Sequence, residues 1–267
     1  MSTNYKKSRG CNNVFQIGKR KNSSSLYKYM NVERAISFLS SGKYYLVEPT
    51  AWLDPYEKRF YTADYTKVAT QYNPQQIYCT CFTDKISNEA AWKMYRGKDD
   101  GIANRSIRFE MNRTALLQYL DHCINNKGKI YIGDANYRYT TKQIDDLHKC
   151  QSRLYSEYFY EFSESKFLEL LLIKRKAFEY ESEVRLFYVP NRQDEIYFDD
   201  KLCAINQCLI EFTETSLRKI IKSISIDPSC SQIEYEMIKS KIETICPWCE
   251  CKSNGLYKKK PRIIIEK

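Results

Sequence analysis

The chain is predicted to be α+β, with mostly antiparallel strands flanked by helices. Two observations carry this, and a third bears on domain organisation. Short strand and helix patterns alternate without a regular βαβ rhythm. No G-x-G-x-x-G or P-loop glycine pattern occurs, which argues against a nucleotide-binding doubly wound sheet. Only 8 Gly and 7 Pro are spread over 267 residues, so long flexible linkers are not expected.

The elements follow in order. Residues 1–24 are polar, basic and rich in Ser and Asn, and are expected to form a poorly ordered arm ahead of one α+β domain over 25–267. "SLYKYM" (25–30) alternates and predicts a strand. "NVERAISFLSSG" (31–42) has an Asn cap, apolar residues at helical spacing and a closing Gly. "KYYLV" (43–47) and "QIYCTCFT" (76–83) predict strands, separated by the loop Trp52-Leu53-Asp54-Pro55-Tyr56-Glu57. "SNEAAWKMYRG" (87–97) predicts a helix, "SIRFEM" (106–111) a strand, "NRTALLQYLDHC" (112–123) a helix and "GKIYIGD" (128–134) a strand. Residues 142–176 read as helical. Strands follow at 178–189, 195–199, 207–212 and 218–227, then a helix at 230–245 and a last strand at 262–266.

The formal net charge is +10. Residues 1–30 carry seven Lys or Arg and no acid, and Lys258, Lys259, Lys260 and Arg262 crowd the other end. Basic arms of this kind attract polyanions by counterion release, or simply keep a protein in solution. The first 25 residues lack an apolar signal region and no 18-residue apolar run exists, so a cytoplasmic, non-membrane protein is expected. Its 11 Cys are then expected to be reduced. The cluster Cys246, Cys249 and Cys251 lacks the second ligand pair of a structural zinc site, so no metal site is assigned. His122 and His148 lie outside the blocks that carry chemistry.

"FEYESEVRLF" (178–187) places three acids and an arginine on alternate positions. As a strand it presents Glu179, Glu181, Glu183 and Arg185 on one face, opposite Phe178, Tyr180, Val184 and Leu186. Carboxylates that close need a cation to ionise together, and Arg185 is the available one. The same pattern also fits an exposed face kept from aggregating by charge, or an i,i+4 pair of a helix.

Several blocks, in order, give the chain a resemblance to the bacterial domain-of-unknown-function family numbered twenty-nine seventy-one. "LYKYMNVERAISFLSSGKYYLVEPTAWLDPYE" (26–57) resembles its opening, and "CTCFT" (79–83) its Cys-Phe-Ser strand. "AWKMYRGKDDGIA" (91–103) resembles its Trp-x-x-Tyr helix. "KRKAFEYESEVRLF" (174–187) is similar to its Glu-x-Glu-x-Arg signature, and "SISIDPSCS" (223–231) to a late strand-Gly-Pro segment. Leu53 stands where that family usually has Asn, Asp227-Pro228 replaces Gly-Pro, and Lys28 replaces a common Arg.

More distantly, the layout resembles mono-ADP-ribosyltransferases, whose sheets are split and whose substrate is NAD. That resemblance implies Glu183 and Glu181 as the catalytic pair. Glu183 would stabilise positive charge developing on the ribose, and Glu181 would orient the nucleophile or take its proton. It further implies that Lys28 meets pyrophosphate or ribose. Tyr27, Tyr29, Trp92 or Tyr95 would stack on a ring, Thr80 or Thr83 would support the strand, and Arg185, Asp54 and Glu57 would stand behind them. Each also has a plainer reading, as core aromatics, strand threonines or a turn. The implied role is a toxin or anti-phage effector. Its target would be nucleic acid, single-stranded by preference, and a neutralising antitoxin protein would accompany it. The alternatives are a metal-dependent nuclease, in which the acids hold Mg²⁺, and a non-catalytic nucleic-acid or partner-binding module.

Overall fold

The computed structural model describes residues 6–18, 23–66, 76–86, 89–97, 101–149, 158–191 and 207–252. Among them the architecture is α+β: one large, mostly antiparallel sheet with helices on both faces.

The strands are β1 (Lys6–Lys7), β2 (Val14–Gln16), β3 (Ser25–Asn31), β4 (Lys43–Val47), β5 (Tyr78–Thr83), β6 (Ser106–Asn112), β7 (Gly128–Asp134), β8 (Glu183–Pro190), β9 (Gln207–Glu211), β10 (Ile221–Ile226) and β11 (Cys251–Lys252). Their order is β1-β2-β7-β8-β5-β3-β6-β10-β11, with β4 joined to β5 and carrying β9. Only β2–β7 and β10–β11 are parallel. The helices are α1 (Val32–Ser41), α2 (Pro55–Thr62), α3 (Glu89–Met94), α4 (Arg113–Ile124), α5 (Thr141–His148), α6 (Glu164–Leu170), α7 (Glu214–Ile220) and α8 (Gln232–Ile245).

Local signals explain many of these bounds. Asn31 accepts the Arg34 N–H and starts α1, and Gly42 ends it at φ 69°, where a Cβ would collide with the Phe212 carbonyl. Asp54 caps α2 by accepting the Tyr56 N–H, with Pro55 at the first helical position. Thr140 and Ser231 open α5 and α8 with capping boxes.

Three expectations are corrected. Residues 6–18 are not a loose arm: β2 joins β7 and buries Val14 and Ile17. Residues 218–220 finish α7, so the strand starts at Ile221. Residues 176–181 form a 3₁₀ helix and the strand begins at Glu183, so the four charged residues do not share one strand face. The strands expected at 195–199 and 262–266 and the basic cluster at 258–262 lie outside the described residues.

Side-chain alternation gives the sheet two different faces. One presents Leu26, Met30, Phe82, Val184 and Leu186, and packs on α1, α4, α7 and α8 through Phe38, Leu117, Leu217 and Ile238. The other divides. Cys79, Tyr131 and Phe187 pack under Phe60 of α2, Ile144 of α5 and Phe167 of α6. Tyr27 and Tyr29 pack separately, under Ala91 and Trp92 of α3. The division lies above a seam in the sheet. Strand β5 pairs with β3 at one residue pair, Tyr27 with Thr83, and with β4 at one, Val47 with Cys79. No helix among the described residues is long and apolar enough to cross a membrane.

Candidate functional site

A cavity of about 540 Å³ opens above the seam, between α2 on one side and α3 on the other. That is within the ordinary range for small-molecule sites. Its wall includes Tyr27 and Tyr29 of β3, Cys81 and Thr83 of β5, Tyr95 after α3, Glu181 at the end of the 3₁₀ turn and Glu183 at the start of β8. Trp52, Asp54 and Glu57 come from the loop and first turn of α2, and Lys174, Arg175 and Phe178 from the segment before β8.

The acids and cations form one network. Lys174 Nζ lies 2.5 Å from Glu181 Oε2, 2.5 Å from Glu183 Oε2 and 3.6 Å from Glu57 Oε1. Arg185, only 1% exposed, donates from Nε to Glu183 Oε1 at 2.8 Å and from Nη2 to Glu57 Oε2. Trp52 covers the Arg185 guanidinium at 4.4 Å. Arg175 donates from Nε to Asp54 Oδ2 at 3.2 Å and lies between the Tyr56 and Phe178 rings. The Glu183 N–H donates to Tyr137 Oη at 2.9 Å, and the Thr83 hydroxyl donates to the Glu181 carbonyl at 2.8 Å.

Local backbone geometry aims the two acids. Ser182 adopts a left-handed conformation, φ 44° and ψ 50°, between the 3₁₀ turn and β8. A non-glycine residue there is uncommon and marks a place the surroundings over-determine. The turn lets Glu181 and Glu183 converge on one ammonium.

Two buried acids of the cavity, Glu183 and Glu57, are tuned in opposite directions. Burial works against the charge of Glu183, yet Arg185 and Lys174 hold its carboxyl well below the usual range. Burial pushes Glu57 above that range, against the pull of Arg185 and Lys174. Carboxyls whose surroundings separate their proton affinities are suited to different roles in one reaction. Burial also raises the Cys81 thiol well above its ordinary value, which keeps it protonated.

Of the residues the sequence singled out, Tyr27, Tyr29, Thr83, Tyr95, Asp54, Glu57, Glu181 and Glu183 line the cavity. Arg185 lies behind them, bonded to two of the acids. Lys28, Thr80 and Trp92 do not line it. Lys28 alternates to the opposite face of β3. Its ammonium donates to Thr80 Oγ1 at 3.0 Å and to the Cys81 carbonyl at 2.8 Å, bridging the strands where their ladder is open. Lys28, expected to meet pyrophosphate or ribose, is thus turned away from this cavity. Trp92 is buried edge-on behind Tyr29, with ring centroids 4.9 Å apart, and offers no free face to a ligand.

Sequence reasoning assigned no role to Lys174, Arg175, Trp52, Phe178, Cys81 or Tyr137. The Lys174-Arg175 doublet just before the acids was the readable signal. The others depend on contacts distant in the chain. Among the described residues no group of three or more His, Cys, Asp or Glu is placed to hold a metal ion. Cys246, Cys249 and Cys251 are free thiols.

The chain matches no protein-family model, no curated protein and no solved structure.

Proposed function

We propose that the cavity binds NAD and transfers its ADP-ribosyl group. The observation that supports this best is the convergence of Glu181 and Glu183 with Tyr27, Tyr29 and Tyr95 on one cavity of about 540 Å³. Tyr95, half-buried and stacked on the buried Tyr29, is the ring best placed to meet a planar base or nicotinamide. Arg175 and Lys174 line the cavity and, in this reading, would turn from their acids to a pyrophosphate in place of Lys28.

The chemistry asks for a fixed negative charge beside the ribose as the C–N bond to nicotinamide breaks and the leaving ring takes the bonding pair. Glu183 suits that role because Arg185 and Lys174 keep it ionised and Tyr137 fixes its backbone. The acceptor then bonds to the anomeric carbon and its proton passes to a nearby carboxylate. Glu181, the more accessible of the pair, takes it in this reading.

A metal-dependent nuclease is less well supported. The point on which the carboxylates converge is held by the Lys174 ammonium.

The test is incubation with NAD labelled in the adenosine moiety, with and without RNA, DNA and protein mixtures and with EDTA. Label transfer or nicotinamide release is expected to persist in EDTA and to fall by about 100-fold or more in Glu183→Gln. Unchanged turnover in that variant, or no NAD binding by calorimetry, removes the reading.

A further inference from the structure

The mouth of the cavity carries a second pattern. Leu53 lines it and is 99% exposed; Met94, 49% exposed, lines it from α3. Leu53 is not on a slack loop. Trp52 before it is stacked on Arg185, and Asp54 after it caps α2 and accepts from Arg175. Two anchored neighbours thus hold a large aliphatic side chain in water. Ile86, after β5, and Tyr180, two residues past Phe178, are also exposed. Exposed apolar groups around a concave site mark a surface that another molecule covers.

The charges nearby are unequal. In the segments that border the lining, Lys58 on α2, Lys85 beside Ile86 and Lys176 beside Arg175 are exposed with no carboxylate partner among the described residues, against the exposed acid Glu179. Arg175 and Lys174 are committed to acids inside.

We infer that the mouth docks a protein partner, an acidic segment carrying bulky apolar side chains. A phosphate chain would satisfy the lysines but leave the Leu53 and Met94 knobs without apolar contact. An acidic, apolar protein surface satisfies both. Overall charge pointed to a polyanion; the lip of the cavity favours a protein. The inference shares the cavity with the ADP-ribosyl reading but uses none of its chemistry.

The probes are three fluorescein-labelled molecules of similar length: an acidic amphipathic helical peptide with Leu at i, i+3, i+4 and i+7, polyglutamate, and oligo(dT). Anisotropy at 150 mM salt is expected to rank the amphipathic peptide about tenfold or more above the other two. Leu53→Asp should weaken that peptide by about tenfold and Lys85→Glu with Lys176→Glu by several-fold, with Tm within about 2 °C of wild type. Tightest binding of oligo(dT), or peptide affinity unmoved by Leu53→Asp, overturns the inference. Glu183→Gln separates the two readings, since it should silence NAD cleavage while leaving peptide affinity within about twofold.

Discussion

Lys28 and Lys174 are both lysines held against the β5 seam, and they are held by different company. Lys28 lies on the helix-packed side, bonded to a threonine hydroxyl and a backbone carbonyl, 5.6 Å from the Phe82 ring and 5.9 Å from the Tyr44 ring. Lys174 lies on the cavity side, against three carboxylates. Neutral partners make the first a rivet between two strands. Charged partners make the second part of an electrostatic site whose balance a ligand can change. Residue type and strand position do not separate these roles; the identity of the acceptors does.

The comparison is broken most directly at Arg185, the cation on which Glu183 and Glu57 both depend. Arg185→Met leaves buried carboxylates short of a partner and is expected to cost about 3–5 kcal/mol. Urea unfolding at pH 7 reads it. A loss under about 1 kcal/mol means that the network on the cavity side holds nothing together and that the two lysines differ in name only.

Lys174→Met comes next, at about 2–4 kcal/mol, and its pH dependence is the sharper reading. The folded-state affinity of Glu183 for a proton is depressed, so its contribution is present above the unfolded carboxyl value, about pH 4.3, and drains away as pH falls below it. Glu57 has the opposite sign: its raised value makes ionisation costly in the fold, so stability is lost as pH rises through it. Without Lys174 the ionised acids repel. The gap between variant and wild type should therefore narrow as pH falls from 7 towards 4. A gap that stays constant means that the ammonium does not neutralise the acids.

Lys28→Met should behave differently in size and in kind. It removes two hydrogen bonds to uncharged acceptors and replaces the ammonium with a side chain suited to the apolar rings nearby. The expected cost is about 1 kcal/mol, flat between pH 5 and 8. A pH-dependent loss as large as that of Lys174→Met erases the distinction.

The two lysines also show which parts of the sequence were legible. Helix α1 was readable because its signals are local: Asn31 caps it, Gly42 stops it, and Val32, Ala35 and Leu39 recur on one face. Strand β3 was readable from alternation, β5 from its apolar run, and the α+β class from the lack of a regular βαβ rhythm. That same alternation put Lys28 on the face opposite Tyr27 and Tyr29, so its departure from the cavity follows from the period-two rule. The segment 178–183 was misread because its alternating acids and aromatics fit a strand, whereas contacts distant in sequence fold residues 176–181 into a 3₁₀ turn. Thr83 ties the Glu181 carbonyl to β5, Tyr137 holds the Glu183 N–H, and Lys174 collects both carboxylates. No local signal marks such a closure, because Ser182 is neither Gly nor Asn.

Ser182→Gly gives the smallest expected effect, and the position gives the most specific one. Its left-handed conformation costs a residue with a Cβ about 1–2 kcal/mol, and glycine would be spared that cost while losing a similar amount of unfolded-state entropy. Ser182→Gly should therefore lie within about 0.5 kcal/mol of wild type and keep the site intact. Ser182→Val cannot adopt that conformation without strain and should lose about 1–3 kcal/mol. It should also lose the pH signature that Lys174 imparts, since the turn that brings Glu181 to the ammonium would open. If valine were tolerated with that signature unchanged, the convergence of the two acids would not depend on the turn at 182. The cavity side of the seam would then be held by its charges alone.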